Sequence, residues 1–126
     1  MQKLIGSLKI PGDKSISHRA LILSSMAIGK TEITNLLEAD DIKSTIEILK
    51  QLGIRIYKRN NNWFVHGNGT NGFIQPRNVL DAKNSGTSAR TLIGAVSSNP
   101  ITCKFKGDKS LSKRSMSRVT TYLDTL

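Results

Sequence analysis

An α/β fold assembled from a repeated unit is what this sequence predicts, on three observations. Apolar residues switch along the chain between period-two and helical spacing, glycine or a Pro-Gly pair stands at several of the switches, and the order of segments in the first half recurs in the second.

The elements follow in order. Residues 3–10 alternate and read as a strand, which Pro11-Gly12 breaks. Residues 15–28 read as a helix: Ala20, Leu23 and Ala27 recur at helical spacing, and Leu21, Ile22 and Met26 make it apolar nearly all round, so it is expected to be buried, with Gly29 at its end. Residues 31–36 alternate as a second strand. Asp40 and Asp41 then place negative charge at the start of a helix that carries Ile42, Ile46, Leu49 and Leu52 on one face and is closed by Gly53. Residues 54–57 and 63–65 flank the basic, Asn-rich stretch KRNNN and read as a hairpin. A Gly/Asn-rich loop runs on to about Gly72.

The second half repeats this order. A break near Asn84 precedes an apolar helix with Ala89, Leu92, Ile93 and Val96, then a strand over 101–105 and a helix with Met116, Val119, Leu123 and Leu126. Ser15 and Arg19 answer to Ser85 and Arg90 at offsets of 70 and 71 residues; Leu49 and Leu52 answer to Leu123 and Leu126 at 74. Such self-similarity predicts copies that bury their faces against one another. The first copy, about 3–72, continues past Leu52 into a hairpin, and the second, about 73–126, has no counterpart of it, so the chain is expected to be a piece of something longer.

Composition narrows the classes. At 126 residues, 37% hydrophobic and 22% charged, the chain is ordinary for a soluble protein, with no apolar run long enough to span a bilayer and no secretory signal; the expected location is the cytoplasm. One cysteine, Cys103, excludes an internal disulfide, and its apolar-alternating surroundings predict a buried, inert thiol. The formal charge of +10 favours anionic partners without choosing among them.

The arrangement of the cations does choose. Pro11-Gly12-Asp13-Lys14-Ser15-Ile16-Ser17-His18-Arg19 crowds a glycine, hydroxyls, a lysine and an arginine into a strand-to-helix turn. Unpaired N–H groups and the dipole attract anions there, and Arg19 lies one turn in, on the side of Ser15. Asn84-Ser85-Gly86-Thr87-Ser88-Ala89-Arg90 is a second such turn, in which the glycine lets a ligand approach backbone N–H groups. Gly107-Asp108-Lys109-Ser110-Leu111-Ser112-Lys113-Arg114 adds three more cations at the start of the last helix. Taken singly, each is as readily a capped turn or a solvated charge run; together they predict a cradle for anions at the strand ends.

Other patterns carry less. Gly29-Lys30-Thr31 resembles the end of a P-loop, but Ser24 stands where the first glycine belongs and the helix precedes the motif. His18 and His66 lack ligand-spaced partners, so no metal is expected. Six aromatics not interleaved with the basic residues argue against a nucleic-acid-binding module.

PGDKSISHRALILSS (residues 11–25), NSGTSAR (84–90) and GDKSLSKRSM (107–116) resemble, in order and spacing, three signatures of the 5-enolpyruvylshikimate-3-phosphate (EPSP) synthase family. One departure is Ser115, where the family usually has a proline that would fix the turn presenting Arg114. The resemblance implies a transferase of the shikimate pathway, a route to aromatic amino acids, moving the enolpyruvyl group of phosphoenolpyruvate (PEP) to the 5-hydroxyl of shikimate 3-phosphate without a cofactor or metal. It implies that Lys14 touches both substrates, that Ser15 and Arg19 bind shikimate 3-phosphate, and that Gly86 and Arg114 bind PEP, with Asn84 and Thr87 as weaker carry-overs. Glyphosate would fit beside Gly86 as well. The implied fold is an inverse α/β barrel of two domains, each of three βαβαββ units, and residues 1–126 would be part of the N-terminal domain: one full unit and most of a second. The family's catalytic base, further PEP ligands and a Ser-Ser-Gln segment have no match here, so no catalytic residue is assigned. The full-length enzyme is expected to be monomeric, with no membrane or nucleic-acid partner, and the fragment's open apolar surface could drive self-association. UDP-N-acetylglucosamine enolpyruvyl transferase shares fold and PEP, but its substrate does not call for the Lys-Ser-x-Ser-His-Arg turn.

Overall fold

The computed structural model describes residues 3–125. Its first helix, α1 (Lys14–Met26), starts directly after the Pro-Gly break. Asp13 caps it: Asp13 Oδ1 accepts the Ile16 N–H at 2.7 Å. The helix stops at Met26, two residues early, and Gly29 lies inside the following strand β1 (Ile28–Ile33), which is shifted back from the predicted 31–36.

Nor is α1 buried all round. Leu21 and Ile22 go inward with Ser17, His18, Ser24 and Ser25, whereas Leu23 faces solvent. Serine is tolerated inside because its hydroxyl can bond back to its own helix, as Ser25 Oγ does to Leu21 O at 2.7 Å. The Ala20, Leu23, Ala27 spacing that betrays the helix is therefore not its core face.

Helix α2 (Asp40–Gln51) follows the sequence reading closely. Asp40 and Asp41 occupy its first turn, Ile42, Ile46, Leu49 and Leu52 are buried, and Gly53 ends it at φ 90°. The hairpin also forms, from β2 (Arg55–Arg59) and β3 (Asn62–Asn68). Asn60 and Asn61 take φ of 49° and 64°, the left-handed pair that a tight hairpin turn requires. β1 pairs antiparallel with the far side of β3, giving the order β1-β3-β2, with Val65 opposite both Thr31 and Ile56. α1 packs on β3 and α2 on β2, so Ile56 and Val65 are buried under the helices.

In the second half β4 (Leu80–Asp81) and β5 (Phe105–Lys106) pair in parallel, and α3 (Gly86–Val96) is the crossover between them. Ala89, Leu92 and Val96 are buried; Ile93 is half-buried. The strand predicted over 101–105 survives only at its end. The Gln75 side chain takes the place of a neighbouring strand, donating to Thr102 O at 2.6 Å and accepting the Thr102 N–H at 2.9 Å. The last predicted helix is two, α4 (Lys109–Ser112) and α5 (Ser117–Leu123), and Leu126 lies outside the described residues. Helix, strand and helix follow one another in each half, as α1, β1, α2 and as α3, β5, α4, but β1 pairs antiparallel and β5 in parallel.

Residues 3–10 are not a strand. Leu4 and Ile5 are 99% and 86% exposed, Leu8 and Ile10 are exposed too, and no described strand pairs with them. Alternation makes a strand only where a ladder partner takes up the backbone groups. Cys103 is half-buried rather than buried, and burial still pushes its thiol pKa up, away from reactivity.

The candidate anion-binding site

Each predicted turn sits at a helix start, and packing brings these starts together. Gly12 lets the first turn lie against residues 35–37: a Cβ there would stand 2.1 Å from the Asn35 carbonyl oxygen. The Leu37 N–H donates to Ser17 Oγ at 3.1 Å, and Asn35 Nδ2 to Ile10 O at 3.2 Å, which pins the turn from both sides. Lys14 opens α1, and its ammonium pairs with the Asp41 carboxylate in the first turn of α2. With the lysine side chain 53% exposed, the pair is worth roughly 1 kcal/mol at most. Ser15 is half-buried and Arg19 exposed, on the same side of the helix.

The second and third turns are locked to each other. Ser85 caps α3, its Oγ accepting the Ser88 N–H at 3.0 Å, and Gly86 follows as the first helical residue. Asn84 Nδ2 donates to Asp108 Oδ2 at 2.6 Å, and the Asp108 N–H to Lys83 O at 2.8 Å. Asp108 also caps α4 by accepting the Leu111 N–H at 2.8 Å. That bond, with the one from Asn84, holds its carboxyl below the ordinary aspartate range.

Gly86 is where the cations meet. A Cβ at this position would lie 3.0 Å from Arg90 Nη1 and 3.2 Å from Arg114 Nη1. Two guanidiniums therefore converge on a helix N-terminus that has no side chain of its own. Arg90 Nη2 donates to Ser115 O at 3.2 Å, tying α3 to the turn that carries Arg114. Ser115 Oγ in turn accepts the Ser117 N–H at 3.1 Å at the start of α5, so a side-chain bond orders the turn where a proline would have fixed φ. Arg90 Nε is buried without a partner among the described residues.

Of the expected residues, Gly86 and Arg114 are brought into contact range of one another, and Lys14, Ser15 and Arg19 share one end of α1. Sequence reading missed Asp41 as the partner of Lys14, and it missed Arg90 beside Arg114. The repeat offset held the signal for the second: Arg90 stands in the second copy where Arg19 stands in the first. A groove of about 840 Å³ runs beside the cluster, lined by Asp41, Asn84 and Asp108 together with Asp40, Glu47, Asp81, Lys43, Lys83 and Lys106 among others. Its mixed charge makes it a poorer anion site than the guanidinium pair. Burial would raise the Asp81 pKa, but the Lys83 N–H and the ammonium groups of Lys83 and Lys106 outweigh it and leave it lowered.

Fold and site together define an α/β unit with cationic, glycine-bearing helix starts. The family model for EPSP synthase (3-phosphoshikimate 1-carboxyvinyltransferase) matches residues 1–126, and the chain belongs to that family. The 3-phosphoshikimate 1-carboxyvinyltransferase of Zymomonas mobilis is 48% identical over 98% of this chain and 27% of its own length. That of Novosphingobium aromaticivorans is 48% identical over 98% and 28%. The solved EPSP synthase of Acinetobacter baumannii superposes with a TM-score of 0.89 at 37% identity, covering 95% of this chain and 28% of that one. The chain thus spans little more than a quarter of the length of these relatives.

Proposed function

We propose that this chain supplies part of the substrate-binding surface of an enzyme that transfers the enolpyruvyl group of PEP to the 5-hydroxyl of shikimate 3-phosphate. The observation that carries the reading is the convergence of the Arg90 and Arg114 guanidiniums on the bare N-terminus of α3 at Gly86. PEP is small and bears a phosphate and a carboxylate, and planar guanidiniums pair with both bidentately. Shikimate 3-phosphate goes to the start of α1, to Ser15 and Arg19, with Lys14 between the two ligands. Fixed cations offset the repulsion between two anionic substrates held side by side, and Lys14 is placed to stabilise charge that develops as PEP is attacked.

Residues 3–72 and 73–126 are then one repeat and most of a second in the N-terminal domain of a two-domain enzyme working in the cytoplasm. Glyphosate, an anion of similar size to PEP, would compete beside Gly86. Because no general acid or base is assigned in this chain, it should not turn over alone; formation of EPSP by the purified chain would refute that.

Amide NMR tests the site directly. Shikimate 3-phosphate should perturb residues 14–19, and PEP residues 86–90 and 114; no change at millimolar ligand would remove the proposed site. The family to which the chain belongs supports small anionic ligands rather than nucleic acid as the partners of its basic charge.

A further inference from the structure

The interface where α1, α2 and α3 meet is not purely apolar. His18 of α1, Thr45 of α2 and Ser88 of α3 are each 0% exposed and form a chain: His18 Nδ1 to Thr45 Oγ1 at 2.8 Å, and Thr45 Oγ1 to Ser88 Oγ at 2.7 Å. Burying such groups costs free energy that apolar side chains of similar size would not, and what directed bonds add in return is register. Apolar contacts are non-directional, whereas a hydrogen bond is satisfied only over a limited range of distance and angle.

The position of the chain gives that register a use. His18 follows Lys14 by four residues and Thr45 follows Asp41 by four, so the His18–Thr45 bond lies one helical turn beneath the Lys14–Asp41 pair. Ser88 is two residues after Gly86, and its own N–H is held by the cap residue Ser85. His18 and Ser88 each stand within a turn of a residue assigned to the site, and Thr45 within a turn of Asp41, which pairs with Lys14.

We propose that His18 is a positioning residue which, through Thr45 and Ser88, sets how the start of α1 stands against the start of α3, and so fixes the spacing of the two anion-binding turns. This rests on the substrate-binding reading above for its consequence, but not for its geometry. The imidazole is neutral with its proton on Nδ1, donated to Thr45 Oγ1. The Thr45 hydroxyl then donates to Ser88 Oγ, or toward Asp41 O, 3.4 Å away, while accepting from Ser88. Nε2, which has no partner among the described residues, is then left as a bare lone pair, a cheaper remainder than an unpaired N–H.

The test uses this chain and its His18→Asn, His18→Leu and Thr45→Val variants. Asparagine keeps a donor where Nδ1 lies; leucine and valine keep volume and lose the bonds. Imidazole nitrogen shifts report the tautomer, residual dipolar couplings report the orientation of α1 against α3, and titration with shikimate 3-phosphate reports the site. Expected are an Nδ1–H imidazole, a changed helix orientation and about tenfold weaker binding in Thr45→Val and His18→Leu, and recovery of most of the loss in His18→Asn. Unchanged orientation in both Thr45→Val and His18→Leu would overturn the proposal, as would His18→Asn altered as badly as His18→Leu, since packing alone would then be the role. Should any variant fail to fold, Ser88→Ala breaks the far end of the chain and is judged by the same couplings. A wild-type chain that does not respond to shikimate 3-phosphate would dispose of the binding reading, while the couplings would still decide the positioning role.

Discussion

Gly86 shows how little space separates function from stability at one position. Its φ is not positive, so alanine is allowed there, and the nearest atoms a methyl group would meet are the guanidinium ends of Arg90, held by its bond to Ser115 O, and Arg114, which must give by a few tenths of an ångström. Gly86→Ala should leave the fold intact or stabilise it by roughly 0.4–1 kcal/mol, since alanine restricts the unfolded chain. It should also push the guanidiniums off the helix start and weaken PEP binding about tenfold. Thermal unfolding and a PEP titration on one sample separate the two effects, and unaltered PEP affinity would mean that the cluster is not the PEP site. Lys14→Met is the complementary case. Its ion pair with Asp41 is half exposed, so stability should change by less than about 1 kcal/mol, whereas shikimate 3-phosphate binding should fall roughly 10- to 100-fold. A stability loss matching the binding loss would make Lys14 a structural residue. These roles are proposed from the sequence because a motif marks each residue. Asp13 was less legible: aspartate and serine cap equally well, and only the bond to the Ile16 N–H decides between Asp13 and Ser15.

At the scale of elements, what the sequence displays is the helix whose apolar stripe is its buried stripe. α2 is such a helix and its reading held from Asp40 to Gly53. α1 is not, because Ser17, His18, Ser24 and Ser25 fill its inner face and a polar residue is scored as surface until its partner in another helix is known. The same burial has a pH consequence. Desolvation lowers the His18 pKa, the Lys14 charge adds to this, and Asp41 opposes it. A base with a folded pKa below its unfolded one is protonated more readily in the unfolded chain. Its contribution to stability is therefore fully present above about pH 6.5 and is lost as pH falls through the folded value. The urea midpoint of the wild type should thus drop between pH 7 and pH 5 by more than that of His18→Asn, which cannot titrate there. Equal drops would place the acid sensitivity elsewhere.

For the molecule as a whole, the sequence displays repetition but not what each strand pairs with. Residues 3–10 carry a strand's alternation and stay exposed without a strand assignment, because register and partner are properties of the sheet and not of the segment. Leu4, Ile5, Leu8 and Ile10 are consequently exposed on one segment with which no described strand pairs, and α5 buries no residue at the other end. A row of that kind, uncharged apart from Lys3 and Lys9, is a template for another strand. This chain should associate with itself in a concentration-dependent way, seen as a sedimentation coefficient that rises with loading concentration. Ile5→Lys with Leu8→Lys should abolish the rise and change unfolding free energy by no more than about 0.5 kcal/mol, as expected for exposed positions. Persistent association in that variant would move the contact to another apolar surface, such as the exposed Leu23 of α1 and Ile28 at the start of β1.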